Sequence, residues 1–92
     1  MAYIVEIIHH KPVYRNGDLE NDLETTTHTF SKRKEAKEFI ENRLSRLKDV
    51  RREYHRESVK PSVCVGWTGK KWTNENTGEK CEEHYKFYLQ KK

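Results

Sequence analysis

The stretch from Ser31 to about Glu57 carries the longest periodic pattern in the chain, and a pattern of that length needs a surface to cover it. With Ala36 at zero and about 100° added per residue, Phe39, Ile40, Leu44, Leu47, Val50 and Tyr54 fall within about 140° of arc. The spacing predicts one long amphipathic helix. Ser31 is its expected N-cap, since a serine hydroxyl can accept from the unpaired amides of a first turn. Two arginines interrupt the apolar arc, Arg43 at about 340° and Arg51 at about 60°. Burying an unpaired guanidinium costs several kcal/mol, so Arg43 is expected to be paired, to run its stem along apolar surface, or to face a partner. The outer surface divides into a basic flank of Lys34, Lys37, Lys48, Arg52 and His55 and an acidic one of Glu35, Glu38, Asp49 and Glu53. Pairing at i,i+3 and i,i+4, such as Lys37 with Glu41, accounts for much of that arrangement as a solvated face.

The remaining apolar groups fall in short runs of β type. Tyr3 to His10 alternates and has apolar residues on both faces, as a central strand does, while Pro12 removes a backbone donor and should weaken pairing there. Arg15-Asn16-Gly17-Asp18 is a strong turn signal. An acidic stretch follows from Asp18 to Glu24, then a β-branched second strand from Thr25 to Phe30. Beyond Pro61, Val63, Val65 and Trp67 alternate with Cys64 and Gly66, Asn74 to Lys80 is a polar loop, and Glu83, Tyr85, Phe87 and Leu89 form the apolar side of a last strand. The expected fold is α+β: an antiparallel sheet of about four strands in ββαββ order, with one long helix on one face, in a single domain over residues 1–92.

A chain of 92 residues with a hydrophobic share of 33% can build only a small core, and a homodimer interface would supply burial that the monomer lacks. The net charge of +4 is uneven. Residues 1–31 hold two basic and five acidic side chains, residues 32–60 eleven and six, and residues 61–92 six and four. An acidic lobe is therefore expected to face a basic one. The two cysteines, Cys64 and Cys81, are expected to be free thiols rather than a disulfide framework. No apolar run approaches the ~20 residues of a membrane span and no signal-peptide pattern opens the chain, so the cytoplasm is the expected location.

No motif for catalysis, cofactor or metal stands up to inspection. Gly66-Trp67-Thr68-Gly69-Lys70 has the wrong spacing for a phosphate loop and no following helix. His9 and His10 are adjacent on a strand and so point to opposite faces; His28, His55 and His84 are scattered. A symmetric hairpin would set Cys64 opposite His84 or Tyr85, but a nucleophile and base also need a cleft and an orienting group. A non-enzymatic protein without cofactor or metal is the expectation. Three surfaces remain as binding candidates: the basic helix flank, the aromatic and basic residues Lys70, Lys71, Trp72, Lys86 and Tyr88 together with Trp67 unless that ring is core, and the acidic residues Asp18, Glu20, Asp22 and Glu24. Rings with cations suit single-stranded nucleic acid, and a basic flank suits phosphates. The acidic group suits a basic channel on a protein.

A compact, highly charged chain of ββαββ order, with the strand-to-helix passage Thr29-Phe30-Ser31 to Phe39-Ile40 and no enzyme motif, resembles small phage-encoded inhibitors of bacterial defence, anti-CRISPR proteins among them. The resemblance implies a non-enzymatic inhibitor that docks by its charged surfaces on a host protein such as a CRISPR nuclease complex, in the host-cell cytoplasm. Direct nucleic-acid binding is the alternative, and an oligomer that sequesters a nucleotide signal is a further one.

Overall fold

The computed structural model describes residues 2–56 and 60–91. Its elements run β1 (Tyr3–Arg15), β2 (Asp18–Phe30), α1 (Arg33–Leu44), β3 (Asp49–Glu53), β4 (Ser62–Thr73) and β5 (Lys80–Lys91). The strands form a single antiparallel sheet in the order β2-β1-β5-β4-β3. The expected four strands and long helix are therefore corrected to five strands and a helix of 12 residues.

The correction lies in the second half of the periodic stretch. Helix α1 ends at Leu44, a short turn follows, and Asp49–Glu53 pairs with β4 as an edge strand. Its register sets Val50 opposite Gly66 and Arg52 opposite Cys64. Val50 and Tyr54 fit the helical arc, but Val50, Arg52 and Tyr54 also recur with period two, and the pairing edge of β4 decides between the two. The Lys48 amide donates to the Trp67 carbonyl at 2.9 Å, which starts that pairing. Glu57, where the helix was expected to end, lies outside the described residues. The N-cap position falls on Lys32, with no side-chain cap; Ser31 instead donates its hydroxyl to Glu35 Oε1 at 3.4 Å.

The first hairpin is longer than expected, because β2 runs straight through the acidic stretch. Its two-residue turn uses Asn16 (φ 53°) and Gly17 (φ 85°), both left-handed, which matches the twist of the flanking strands. The ladder from Tyr3–Phe30 to Arg15–Asp18 is continuous and includes Pro12 opposite Asn21. Pro12 is tolerated because β1 pairs with β5 only as far as His10, so its missing donor faces no neighbour on that side. The other long hairpin, β4–β5, carries a register shift between Trp67 and Lys71.

Strands of 12–13 residues span about 44 Å at ~3.4 Å per residue, in keeping with the 46 × 22 × 22 Å extents. The radius of gyration is 15.0 Å, against about 12 Å for a compact domain of this length. The helix covers only part of that length. Past the His10–His84 pair the β1–β2 and β4–β5 hairpins continue as two arms, joined near their tips where Asn76 Nδ2 donates to Glu20 Oε1 at 3.2 Å.

The core lies between α1 and one face of the sheet. Ala36, Ile40 and Leu44, spaced by one helical turn, bury against Val5 and Ile7 of β1, Phe87 and Leu89 of β5, and Cys64 of β4. Phe30, Phe39, Leu47, Val50 and Tyr54 close its margins. Ser62 is buried with its hydroxyl satisfied twice, accepting from the His55 amide at 2.8 Å and donating to the His55 carbonyl at 3.1 Å. Gly66 leaves the space that the Leu47 and Leu44 side chains occupy: a Cβ there would clash with Leu47 Cδ1 and lie 3.2 Å from Leu44 Cδ2.

Two substitutions test this packing. Leu44→Asp places a carboxylate at a site that is 1% exposed and should abolish cooperative thermal unfolding. Gly66→Ala should lower the stability measured in urea by about 1–3 kcal/mol, because Leu47 must leave its rotamer. An unchanged midpoint for either variant would contradict the helix packing described here.

Candidate functional site

Among the described residues, the one helix leaves the opposite face of the sheet without a covering layer. Period-two alternation sends Ile4, Ile8 and His10 of β1, Val63, Val65 and Trp67 of β4, and Lys86, Tyr88 and His84 of β5 to that side. The register arranges them in rows across the strands. Val63, Tyr88 and Glu6 lie side by side, then Arg51, Val65, Lys86 and Ile8, then Asp49, Trp67, His84 and His10. Ile4, Ile8, Val63, Val65, Trp67 and Tyr88 are half-buried although no helix covers them. Leu23, on the same side of β2, is 57% exposed.

The charges on this face are mixed. Glu6, Asp49, Glu53 and Glu82 are interspersed with Arg51, Lys71 and Lys86. The rings of His10 and His84 stack with centroids 4.0 Å apart. His84 Nδ1 lies 2.9 Å from the Glu82 carbonyl; a carbonyl can only accept, so Nδ1 carries the proton. Burial, followed by His84, Lys86 and His9, holds the His10 imidazole below its ordinary pKa.

The helix side of the sheet has a concavity of about 650 Å³ where α1 stops and the two arms begin. Ile7, His9, Tyr85 and Phe87 form its sheet wall, His28 and Glu24 come from β2, and Arg43, Arg46 and Leu47 from the end of α1 and the turn after it. His9 stacks on Tyr85 at 4.0 Å with 9° between the ring planes, and its Nε2 is 3.0 Å from Glu83 Oε1. Burial, followed by the Glu83 carboxylate, pushes the Tyr85 phenol up. Arg43 is exposed, with its guanidinium over the Phe39 ring at 5.1 Å. Of the arrangements open to Arg43, the one found runs its side chain over an aromatic face at the end of the helix.

The three candidate surfaces fare differently. The basic flank is not one helical face: Lys34 and Lys37 are on α1, Arg52 is on β3, Lys48 is in the turn and His55 follows β3. Lys37 Nζ lies over the Tyr54 ring at 4.6 Å. Arg52 Nε donates to both Glu41 oxygens, at 2.7 and 3.0 Å, and the Tyr54 hydroxyl donates to Glu41 Oε2 at 2.8 Å. Glu41 thus pairs across elements rather than along the helix with Lys37. Lys48 packs its stem by Gly69. His55 Nε2 is 3.1 Å from Glu53 Oε1, and His55 with Lys60 keeps the Glu53 carboxyl below the usual carboxylate range.

The aromatic and basic group splits as well. Lys86 and Tyr88 are on the open face, Lys70 and Lys71 are exposed beyond the register shift, and Trp72 is buried to 8% exposure opposite Cys81. The acidic residues are on β2 and largely answered within the hairpin. Lys11 binds Glu24 at 2.6 Å, Arg15 lies 3.2 Å from Asp22 and 3.9 Å from Glu20, and Asp18 is Arg15's cross-strand neighbour. The hydrogen bond from Lys11 holds Glu24 below the usual carboxylate range. Cys64 faces Phe87 rather than His84, because the β4–β5 hairpin turns about Asn76 and Thr77, and Cys64 and His84 project to opposite sides of the sheet. Both cysteines are free, Cys64 in the core.

Two groupings have no signature in the sequence. One is the row of Trp67 with His84 and His10: Trp67 belongs to the aromatic and basic residues of the last strands, but only the register supplies its neighbours. The other is the Arg43, Arg46, His9 and Tyr85 cluster, which spans three elements and has no signature in spacing.

The lowered His10 pKa has a definite consequence for stability. Below pH 6.5 the unfolded chain takes up a proton at this position before the folded one does, so stability should fall as pH drops from 6.5 through the folded-state value, and be unaffected above 6.5. Imidazole titration by NMR should place His10 below 6.5, and His84→Gln should move it up. Compared with protein-family models, curated proteins and solved structures, the chain has no match.

Proposed function

We propose that the protein is a non-enzymatic binding protein that recognises another protein through the open face of its sheet. The observation that supports this reading is the contiguous patch formed by Ile4, Ile8, Val63, Val65, Trp67 and Tyr88 on strands that, among the described residues, no second layer covers. An apolar patch rimmed by charge is the composition of a protein interface, with Trp and Tyr as anchors. The rim is mixed in sign, through Glu6, Asp49, Glu53, Arg51 and Lys86, which suits a mixed protein surface better than a polyanion. A host nuclease complex of the bacterial defence type is the target class suggested by the small size and high charge of the chain, and occupying its working surface would inhibit it.

Nucleic acid is the second reading, favoured by the ring row Trp67, His84 and His10 beside Lys86 and Arg51. It predicts a steep fall of affinity with salt.

A panel of purified defence nuclease complexes tests the proposal by inhibition. Val65→Glu and Tyr88→Ala should each weaken inhibition by about tenfold or more, as expected for buried anchors, while Lys37→Ala on the helix side should not. Inhibition insensitive to the open-face variants would remove this face from the function. Tight, salt-sensitive binding to mixed-sequence single strands, lost in Trp67→Ala, would replace the protein partner by nucleic acid. Light scattering that showed a dimer dissociated by Val65→Glu would assign the face to a second copy of the chain.

A further inference from the structure

We infer that the helix-side concavity is a binding site for a nucleoside phosphate. Its volume of about 650 Å³ falls within the roughly 300–1,000 Å³ of small-molecule sites. It combines two chemistries that such a ligand needs. The rings of His9 and Tyr85 stack face to face, 4.0 Å apart and 9° from parallel, and both line the concavity; a base can extend such a stack because every base has a π-face. Arg43 and Arg46 supply paired cationic donors from the end of α1 and the turn after it.

The balance of charge favours an anion. Among the described residues no ion pair with a carboxylate holds either guanidinium; that of Arg43 lies over the face of Phe39. The one acidic side chain on the wall, Glu24, is bound to Lys11 at 2.6 Å. A guanidinium presents a planar fork of donors to phosphate oxygens, and two in one concavity can hold one phosphate group. The floor of Ile7 and Phe87 is apolar, so the non-phosphate end of the ligand meets hydrocarbon rather than water.

The site is separate from the open sheet face, since His9 and Tyr85 project to the helix side while their strand neighbours His10 and Lys86 project to the other. Occupation of one does not require the other.

Titration calorimetry of the full chain with AMP, adenosine and inorganic phosphate is the test. AMP should bind saturably with one site per chain and more tightly than either adenosine or phosphate alone, and ¹H–¹⁵N shifts should cluster at His9, His28, Arg43, Thr68 and Tyr85. The double variant Arg43→Gln with Arg46→Gln, both exposed and outside the core, should keep its urea midpoint and lose about tenfold or more in affinity, the equivalent of one to two charge-assisted hydrogen bonds. Trp67→Ala should bind as the parent does. Absence of saturable AMP binding, an affinity unchanged in the double variant, phosphate binding as tightly as AMP, or shifts confined to the open face would each overturn the assignment.

Discussion

The contact of Ala36, Ile40 and Leu44 with Val5, Ile7, Cys64, Phe87 and Leu89 is the interaction on which the other features depend. It is a small core, built from three helical positions and the inward faces of three strands. Burying each large side chain contributes roughly 1.5–3 kcal/mol, and a helix of 12 residues can cover only part of one face of a five-stranded sheet. From this limited cover follow both the open sheet face and the concavity beyond the last turn of the helix.

The helix is short because of how it is connected. It leaves β2 at one edge of the sheet and delivers the chain to β3 at the other. Twelve residues rise about 18 Å, and four strand-to-strand gaps measure about 19 Å. With the turn after Leu44 the chain reaches the far edge and is free to pair with β4. Continuing as helix would forgo that ladder, Val50 over Gly66, and the Arg52 and Tyr54 bonds to Glu41. The long arms need no helix above them, because much of their charge is answered across strands, by Lys11 and Arg15 on Glu24, Asp22 and Glu20.

Charge within the chain therefore sorts into two kinds. Most acidic side chains of β2 and several basic ones are occupied by one another. Arg43 and Arg46 at the concavity, and Arg51 and Lys86 on the open face, are placed beside apolar or aromatic surface instead. A cation next to a ring or hydrocarbon is partly removed from water, and this makes an incoming anion or a complementary partner count for more there than on a fully solvated face. The two surfaces differ in form: the sheet face is broad and mixed in sign, while the concavity is enclosed on several sides and basic.

The sequence by itself determined what short-range chemistry controls. The Asn16-Gly17 turn, the alternation of β4 and β5, and the first helical turns with Ala36, Ile40 and Leu44 were all legible, because each depends on neighbours within a few residues. It also showed which residues carry charge and which carry rings. Only the tertiary structure decided whether Val50 to Tyr54 is helix or strand, since the pattern satisfies both periods and the edge of β4 breaks the tie. Only it paired Arg15 and Lys11 with the acidic strand, set Cys64 against Phe87 rather than His84, and brought Arg43 and Arg46 to the stacked rings of His9 and Tyr85. The reason is the same in each case: these relations depend on strand register and on where the chain turns back, and both are settled by long-range pairing that local spacing does not encode.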